Sequence, residues 1–169
     1  MKSRGLSGII STVILIALAI VIVSIVWGVV SNLVQENLEE TESCFGNFDK
    51  VVLNNRNTCN NSETGELQFS IEIRDADVDE VLVSVSSVAK TSGFKITKIA
   101  GTIANLREYS EDSEGVSLPG KNGGKTYLLN LAAAGISDVQ SIKIAPIING
   151  KQCDTSDTIS EISNCLLSV

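Results

Sequence analysis

The chain has 169 residues, with 13 Lys and Arg against 20 Asp and Glu, a formal charge of −7 and no histidine. An acidic surface repels nucleic-acid phosphates, and no basic patch interleaved with aromatics offsets it, so nucleic acid is excluded as a partner. The length leaves room for one cored domain beside the apolar N-terminal segment, not for two.

Apolar residues are concentrated at positions 9–30, where only Ser11, Thr12 and Ser24 are polar, and no charged residue occurs between Arg4 and Glu36. As a helix at 1.5 Å per residue this run is ~33 Å long, enough to span the hydrocarbon core of a bilayer. It is apolar on every face, so it must be surrounded by lipid or by other helices. Lys2 and Arg4 precede it, and Glu36, Glu39 and Glu40 follow it. The positive-inside rule therefore puts the N-terminus in the cytoplasm and the remainder outside. A cleaved secretory signal ending at Ala17-Leu18-Ala19 is disfavoured, because the apolar run continues to Val30 and would become the new N-terminus. Leu33, Val34 and Leu38, separated by Gln35, Glu36, Glu39 and Glu40, continue the helix amphipathically to about Thr41.

Arg4-Gly5, followed by Leu6-Ser7-Gly8-Ile9-Ile10-Ser11-Thr12 and a long Ile/Val/Leu/Ala run, resembles the class III signal of archaeal type IV pilins and archaellins. The resemblance covers residues 2–35 closely and the rest only in architecture. It implies that residues 1–5 are a signal removed by a prepilin peptidase between Gly5 and Leu6. It further implies that residues 6–42 are a hydrophobic helix that waits in the membrane and then forms a filament core. The core residues are Ile9, Ile10, Val13, Leu15, Ile16, Leu18, Ile22, Ile25, Val26, Trp27 and Val30, with Ala17, Ala19, Ser24 and Gly28 allowing close helix approach. Bacterial type IV pilins usually carry glutamate at the fifth mature position, which is Ile10 here, so the likeness is to the archaeal branch. The implied partners are other copies of the chain, the peptidase, an assembly platform with its ATPase, and the membrane before assembly. The implied function is a structural subunit of a surface filament, for adhesion first and an archaellum second. The residues alone also fit a single-pass, membrane-anchored binding ectodomain that never polymerises.

Residues 43–169 change to a period of two. Leu67, Phe69, Ile71 and Ile73 alternate with Gln68, Ser70, Glu72 and Arg74, and Val81, Val83 and Val85 alternate with Leu82, Ser84 and Ser86. These runs predict half-buried antiparallel strands, joined by an acidic hairpin turn at Asp75-Ala76-Asp77-Val78-Asp79. Further strands are expected at 48–54, 94–100, 125–131 and 139–147, with 106–124 a loop or a loop carrying a short edge strand. The fold class expected is α+β: a long apolar helix, then an antiparallel β-sandwich head of immunoglobulin-like size without the Cys-Trp-Cys core signature.

The spacings among Cys44, Cys59, Cys153 and Cys165 match neither a zinc nor a redox motif. Of three connectivities the simplest is the sequence-local one, Cys44–Cys59 and Cys153–Cys165, each closing a loop worth about 3 kcal/mol. Such bonds need an oxidising, extracytoplasmic location; four buried, reduced thiols are the alternative.

Asp75-x-Asp77-x-Asp79 begins like a calcium loop, but Glu80 and Ser86 stand where an EF-hand needs glycine and a bidentate acid. Gly124-Lys125-Thr126 ends like a phosphate-binding loop, yet Pro119 replaces the first glycine and a strand follows instead of a helix. Asn60-Asn61-Ser62 is a glycosylation sequon, expected in a polar loop beside Cys59, with Asn60 as the acceptor. No histidine, nucleophile elbow or cysteine–base pair exists, and the acids are expected in turns and on solvent-facing strand positions. The chain reads as a non-enzyme without metal or cofactor.

Overall fold

A computed structural model describes residues 5–46, 49–110 and 115–165. Lys2 and Arg4 of the expected signal, and Phe48 of the first expected strand, lie outside the described residues. The architecture is α+β: an N-terminal apolar helix followed by two antiparallel sheets. The chain divides into two compact units, Met1–Glu42 and Ser43–Val169.

Helix α1 (Gly5–Phe45) has 41 residues. No proline interrupts it, since the chain's two prolines are Pro119 and Pro146, and its run of Ile and Val costs only a few tenths of a kcal/mol per residue in helix propensity. It extends a turn past the expected end, into the second unit, where Cys44 belongs.

The second unit contains β1 (Val51–Leu53), β2 (Cys59–Asn61), β3 (Glu66–Ile73), β4 (Glu80–Ser87), β5 (Thr91–Thr97), β6 (Leu106–Glu108), β7 (Gly123–Asn130), α2 (Leu131–Ala134), β8 (Val139–Ile148), β9 (Lys151–Gln152) and β10 (Asp157–Ile159). One sheet has the order β1-β3-β7-β6, with β2 also on β3; the other has the order β10-β8-β4-β5, with β9 also on β8. The alternating residues of β3, β4, β7 and β8 supply one shared core, including Leu67, Phe69, Ile71, Val81, Val83, Val85, Tyr127, Leu129, Ile142 and Ile144. The Phe69 ring of the first sheet lies 5.3 Å from Tyr127 and 6.2 Å from Phe94 of the second sheet, so the aromatic cluster joins the layers.

The six expected strand regions are present, but the connection at 75–79 is not a hairpin. β3 and β4 lie in different sheets, and the segment carries the chain between them. Its apolar residues Ala76 and Val78 are buried at the end of the core, and the aspartates alternate with them. The hairpin partner of β4 is β5. Within 106–124, β6 forms the short edge strand, and a bridge from Gly101 to Val116 folds the segment back over the core. Asn149 and Gly150 have φ of 53° and 74°, the left-handed pair of a two-residue hairpin turn that joins β8 to β9. Across one edge of the sheets, Asp157 Oδ2 accepts from Leu53 N at 2.8 Å and Ser156 Oγ donates to Val51 O at 2.8 Å. These side chains of the β10 region cover the backbone edge of β1.

Candidate functional site

The largest unpartnered feature of the first unit is the surface of α1. Residues Gly8–Gln35 form 28 consecutive positions of span-forming character with none buried. The residues expected in a polymer core, Ile9, Ile10, Val13, Leu15, Ile16, Leu18, Ile22, Ile25, Val26, Trp27 and Val30, are exposed by 45% at Val30 up to 72% at Trp27. Removing such side chains from water is worth about 1.5–3 kcal/mol each, on the order of 20 kcal/mol together, so an aqueous monomer is strongly disfavoured. Two polar side chains in the run are already satisfied: Thr12 Oγ1 donates to Ile9 O and Ser24 Oγ to Ile20 O, both at 2.8 Å. Those hydroxyls can therefore enter an apolar surrounding without an outside partner. Gly5 and Leu6 stand in the first helical turn; Lys2 and Arg4, upstream of that bond, lie outside the described residues.

The cysteines form two disulfides, and the sequence-local pairing is wrong. Cys44 bonds Cys153 across a separation of 109 residues, and Cys59 bonds Cys165 across 106. The cause is the return of the C-terminal segment to the first strands. β10 reaches β1 through Ser156 and Asp157, and the backbone of 163–165 lies along β2. The sequence neighbours Cys44 and Cys59 are instead held apart by β1 and by a 3-10 turn at Asn55–Asn57, whose cap Asn54 accepts from Arg56 N and Asn57 N.

Asn60 and Asn61 of the sequon lie in β2, not in a loop, and only Ser62 stands in the turn that follows. Asn60 Oδ1 is buried and has no hydrogen-bond partner among the described residues, and Ser62 Oγ donates to Asn164 Oδ1 at 3.1 Å.

One acid, expected in a turn or facing solvent, is instead buried. Glu108, opposite the fully buried Tyr127 in the β6–β7 register, turns to the core side and is itself buried. Its Oε1 accepts from Ser117 N at 2.9 Å, Ser117 Oγ at 3.2 Å and Lys125 Nζ at 2.8 Å, while Tyr127 OH donates to Ser117 O at 2.8 Å. Burial pushes the Glu108 carboxyl up, but the bonds from Lys125 and Ser117 and the lysine's charge outweigh it and hold the pKa below the usual glutamate value. Burial, and then the charge of Glu108, push the Tyr127 phenol up. Lys125 Nζ is also 2.6 Å from Ser117 Oγ. Because the ammonium is a donor to the Glu108 carboxylate, this group clamps the 115–118 segment to the sheet and does not arm the serine as a nucleophile.

The aspartates of the crossover are matched by lysines. Asp75 pairs with Lys121 at 2.7 Å, and Lys98 bonds Asp77 and, at 3.3 Å, Asp79. Hydrogen bonds from these lysines, and then their charges, hold Asp75 and Asp77 below the usual carboxylate range. Among the described residues no group of three or more metal-ligating side chains is gathered in one place. The glycine-rich stretch before Thr126 forms a turn, Gly123 N donating to Gly120 O at 2.9 Å, that leads into β7.

No protein-family model, curated protein or solved structure matches this chain.

Proposed function

We propose that the chain is a structural subunit, not an enzyme, that polymerises into an archaeal type IV pilus-like surface filament with adhesion as its first role. The observation that supports this most is α1: 28 consecutive membrane-compatible residues, none of them buried, with Thr12 and Ser24 satisfied internally. Such a surface suits lipid before assembly and copies of itself afterwards. The junction Arg4-Gly5-Leu6 in the sequence supports processing by a prepilin peptidase, after which a platform and its ATPase draw the helix from the membrane. In this reading the precursor sits in the cytoplasmic membrane with its N-terminus inside. The head is then extracellular, which accords with two disulfides that stay closed only in an oxidising compartment. The head is proposed to be an immunoglobulin-like sandwich in the broad sense of two facing antiparallel sheets.

N-terminal sequencing of the mature protein is expected to begin at Leu6, and sheared surface filaments are expected to yield peptides of this chain by mass spectrometry. Retention of Met1, with the protein in membranes and absent from filaments, would sink the proposal and leave the single-pass anchored ectodomain. Deletion of the gene separates the two filament roles: loss of attachment supports the pilus, loss of swimming the archaellum.

A further inference from the structure

The Asn60 sequon is held on both of its edges. On one, β2 pairs with β3, with Cys59 opposite Gln68, Asn60 opposite Leu67 and Asn61 opposite Glu66. On the other, the C-terminal segment runs parallel to it: Asn60 bridges Asn164, Asn60 N donates to Ser163 O at 2.8 Å and Cys165 N donates to Asn60 O at 2.9 Å. The serine of the sequon is engaged by the same segment, Ser62 Oγ donating to Asn164 Oδ1, and the Cys59–Cys165 disulfide seals the arrangement. Directly opposed residues of an antiparallel pair share a face. Asn60, itself half-buried, therefore stands on the side of Leu67, which is fully buried, and its Oδ1 is enclosed with no partner among the described residues. Acceptor sequons ordinarily lie in surface loops, where the chain can enter a transferase; this one cannot leave its sheet while the C-terminal segment is docked.

We propose that Asn60 accepts a glycan only in the open chain, and that residues 163–165 are a strap whose closure ends acceptance. Glycan and closed strap are then mutually exclusive states of one molecule. This rests on the extracytoplasmic head of the proposed function. In the transfer, Asn60 Nδ2 attacks C1 of an isoprenoid-diphosphate-linked oligosaccharide; the N–C1 bond forms as the C1–O bond breaks, the isoprenoid diphosphate leaves with the electron pair, and the nitrogen gives one proton to solvent. In closure, the Cys59 and Cys165 thiols lose two protons and two electrons to a disulfide-bearing oxidant, which is reduced to its dithiol. A sugar on Asn60 would have to fit on the enclosed Leu67 side of the sheet, so a modified chain does not dock 163–165 and keeps both thiols.

The full-length protein in detergent micelles, supplied with an oligosaccharyltransferase and an isoprenoid-linked oligosaccharide, tests this by mass spectrometry of the Asn60 peptide. The oxidised wild type is expected at least ten-fold below both a Cys59→Ser/Cys165→Ser variant and a chain ending at Ser160, each checked for an intact Cys44–Cys153 bond. Wild-type molecules glycosylated while reduced and then oxidised are expected to keep Cys59 and Cys165 open to alkylation. Equal occupancy in the oxidised wild type overturns the proposal. So does no occupancy in either open form, or a glycosylated molecule that carries the Cys59–Cys165 bond. None of these readouts needs a filament, so failure of polymerisation and failure of the strap are told apart.

Discussion

Removing one disulfide should cost less than its loop length suggests, and removing both should cost more than twice that amount. Taken alone, a bond closing a loop of 109 residues, as Cys44–Cys153 does, restricts the unfolded chain by about 4.8 kcal/mol in the chain-entropy model. The Cys59–Cys165 bond, with a separation of 106, has nearly the same value. The two interleave, so once one is closed the other completes a ring of only about 27 residues, from Cys44 to Cys59 and from Cys153 to Cys165, worth about 3.5 kcal/mol. A Cys44→Ser/Cys153→Ser or Cys59→Ser/Cys165→Ser variant should thus lose about 3.5 kcal/mol, and the four-serine chain about 8 kcal/mol. That larger loss is comparable with the whole stability of a domain. The sequence-local pairing makes a different forecast: about 3 kcal/mol each, with additive losses. Trp27 lies in α1, and the head itself has no tryptophan whose fluorescence could be followed. Amide hydrogen exchange across β3 and β4 reports on the head, since the slowest core amides follow global opening. Strictly additive losses, or a non-reducing peptide map joining Cys44 to Cys59, would refute the reasoning.

Phe69, fully buried between Tyr127 and Phe94, should lose about 3–5 kcal/mol on Phe69→Ala, read as a fall in the urea midpoint with unchanged slope. Glu108→Gln should destabilise by about 1–3 kcal/mol, because Ser117 N and Lys125 lose a charged acceptor; Lys125→Met on top should cost less than it does alone, which a double-mutant cycle measures. The folded Glu108 holds its proton less tightly than the unfolded one, whose ordinary pKa is 4.5. Its contribution is therefore complete above that value and is lost as the pH falls through the lower folded one; Glu108→Gln should flatten this part of an acid titration of stability. Tyr127 has the opposite sense. Its phenol holds the proton more tightly than an unfolded tyrosine of pKa 10.0, so stability should fall as the pH rises above 10 in the wild type and less so in Tyr127→Phe, followed by amide exchange or urea titration.

The parts of the molecule legible in the sequence are those set by local period. A run without charge from Ile9 to Val30 can be satisfied only by a helix with an apolar surrounding, and alternation in Leu67–Ile73 and Val81–Val85 can be satisfied only by strands with one face buried. What period cannot show is which strand a strand meets. Asp75-Ala76-Asp77-Val78-Asp79 reads equally as a tight turn or as a crossover. The placement of β3 and β4 in different sheets, with Ala76 and Val78 buried, reveals that the chain is passing over the end of the core and not reversing in solvent. The Asn149-Gly150 turn carried a usable signal, since that dipeptide favours the left-handed pair it adopts. The position of Glu108 carried another: Leu106 and Glu108 are two apart, so a strand that buries the first also turns the second inward.

The disulfides are the clearest case of information that no local rule contains. Loop closure favours Cys44–Cys59 and Cys153–Cys165 in an unfolded chain, because short loops form more readily than long ones. The native pairs exist because β10 and the segment 163–165 return to β1 and β2, through bonds such as Asp157 to Leu53 N and Cys165 N to Asn60 O. The sheets must therefore be largely assembled before the right sulfurs meet, and oxidation that runs ahead of folding selects the wrong pairs. Cysteine pairing here is a consequence of strand topology, and a pairing rule based on sequence distance fails for the reason that it succeeds in a disordered chain.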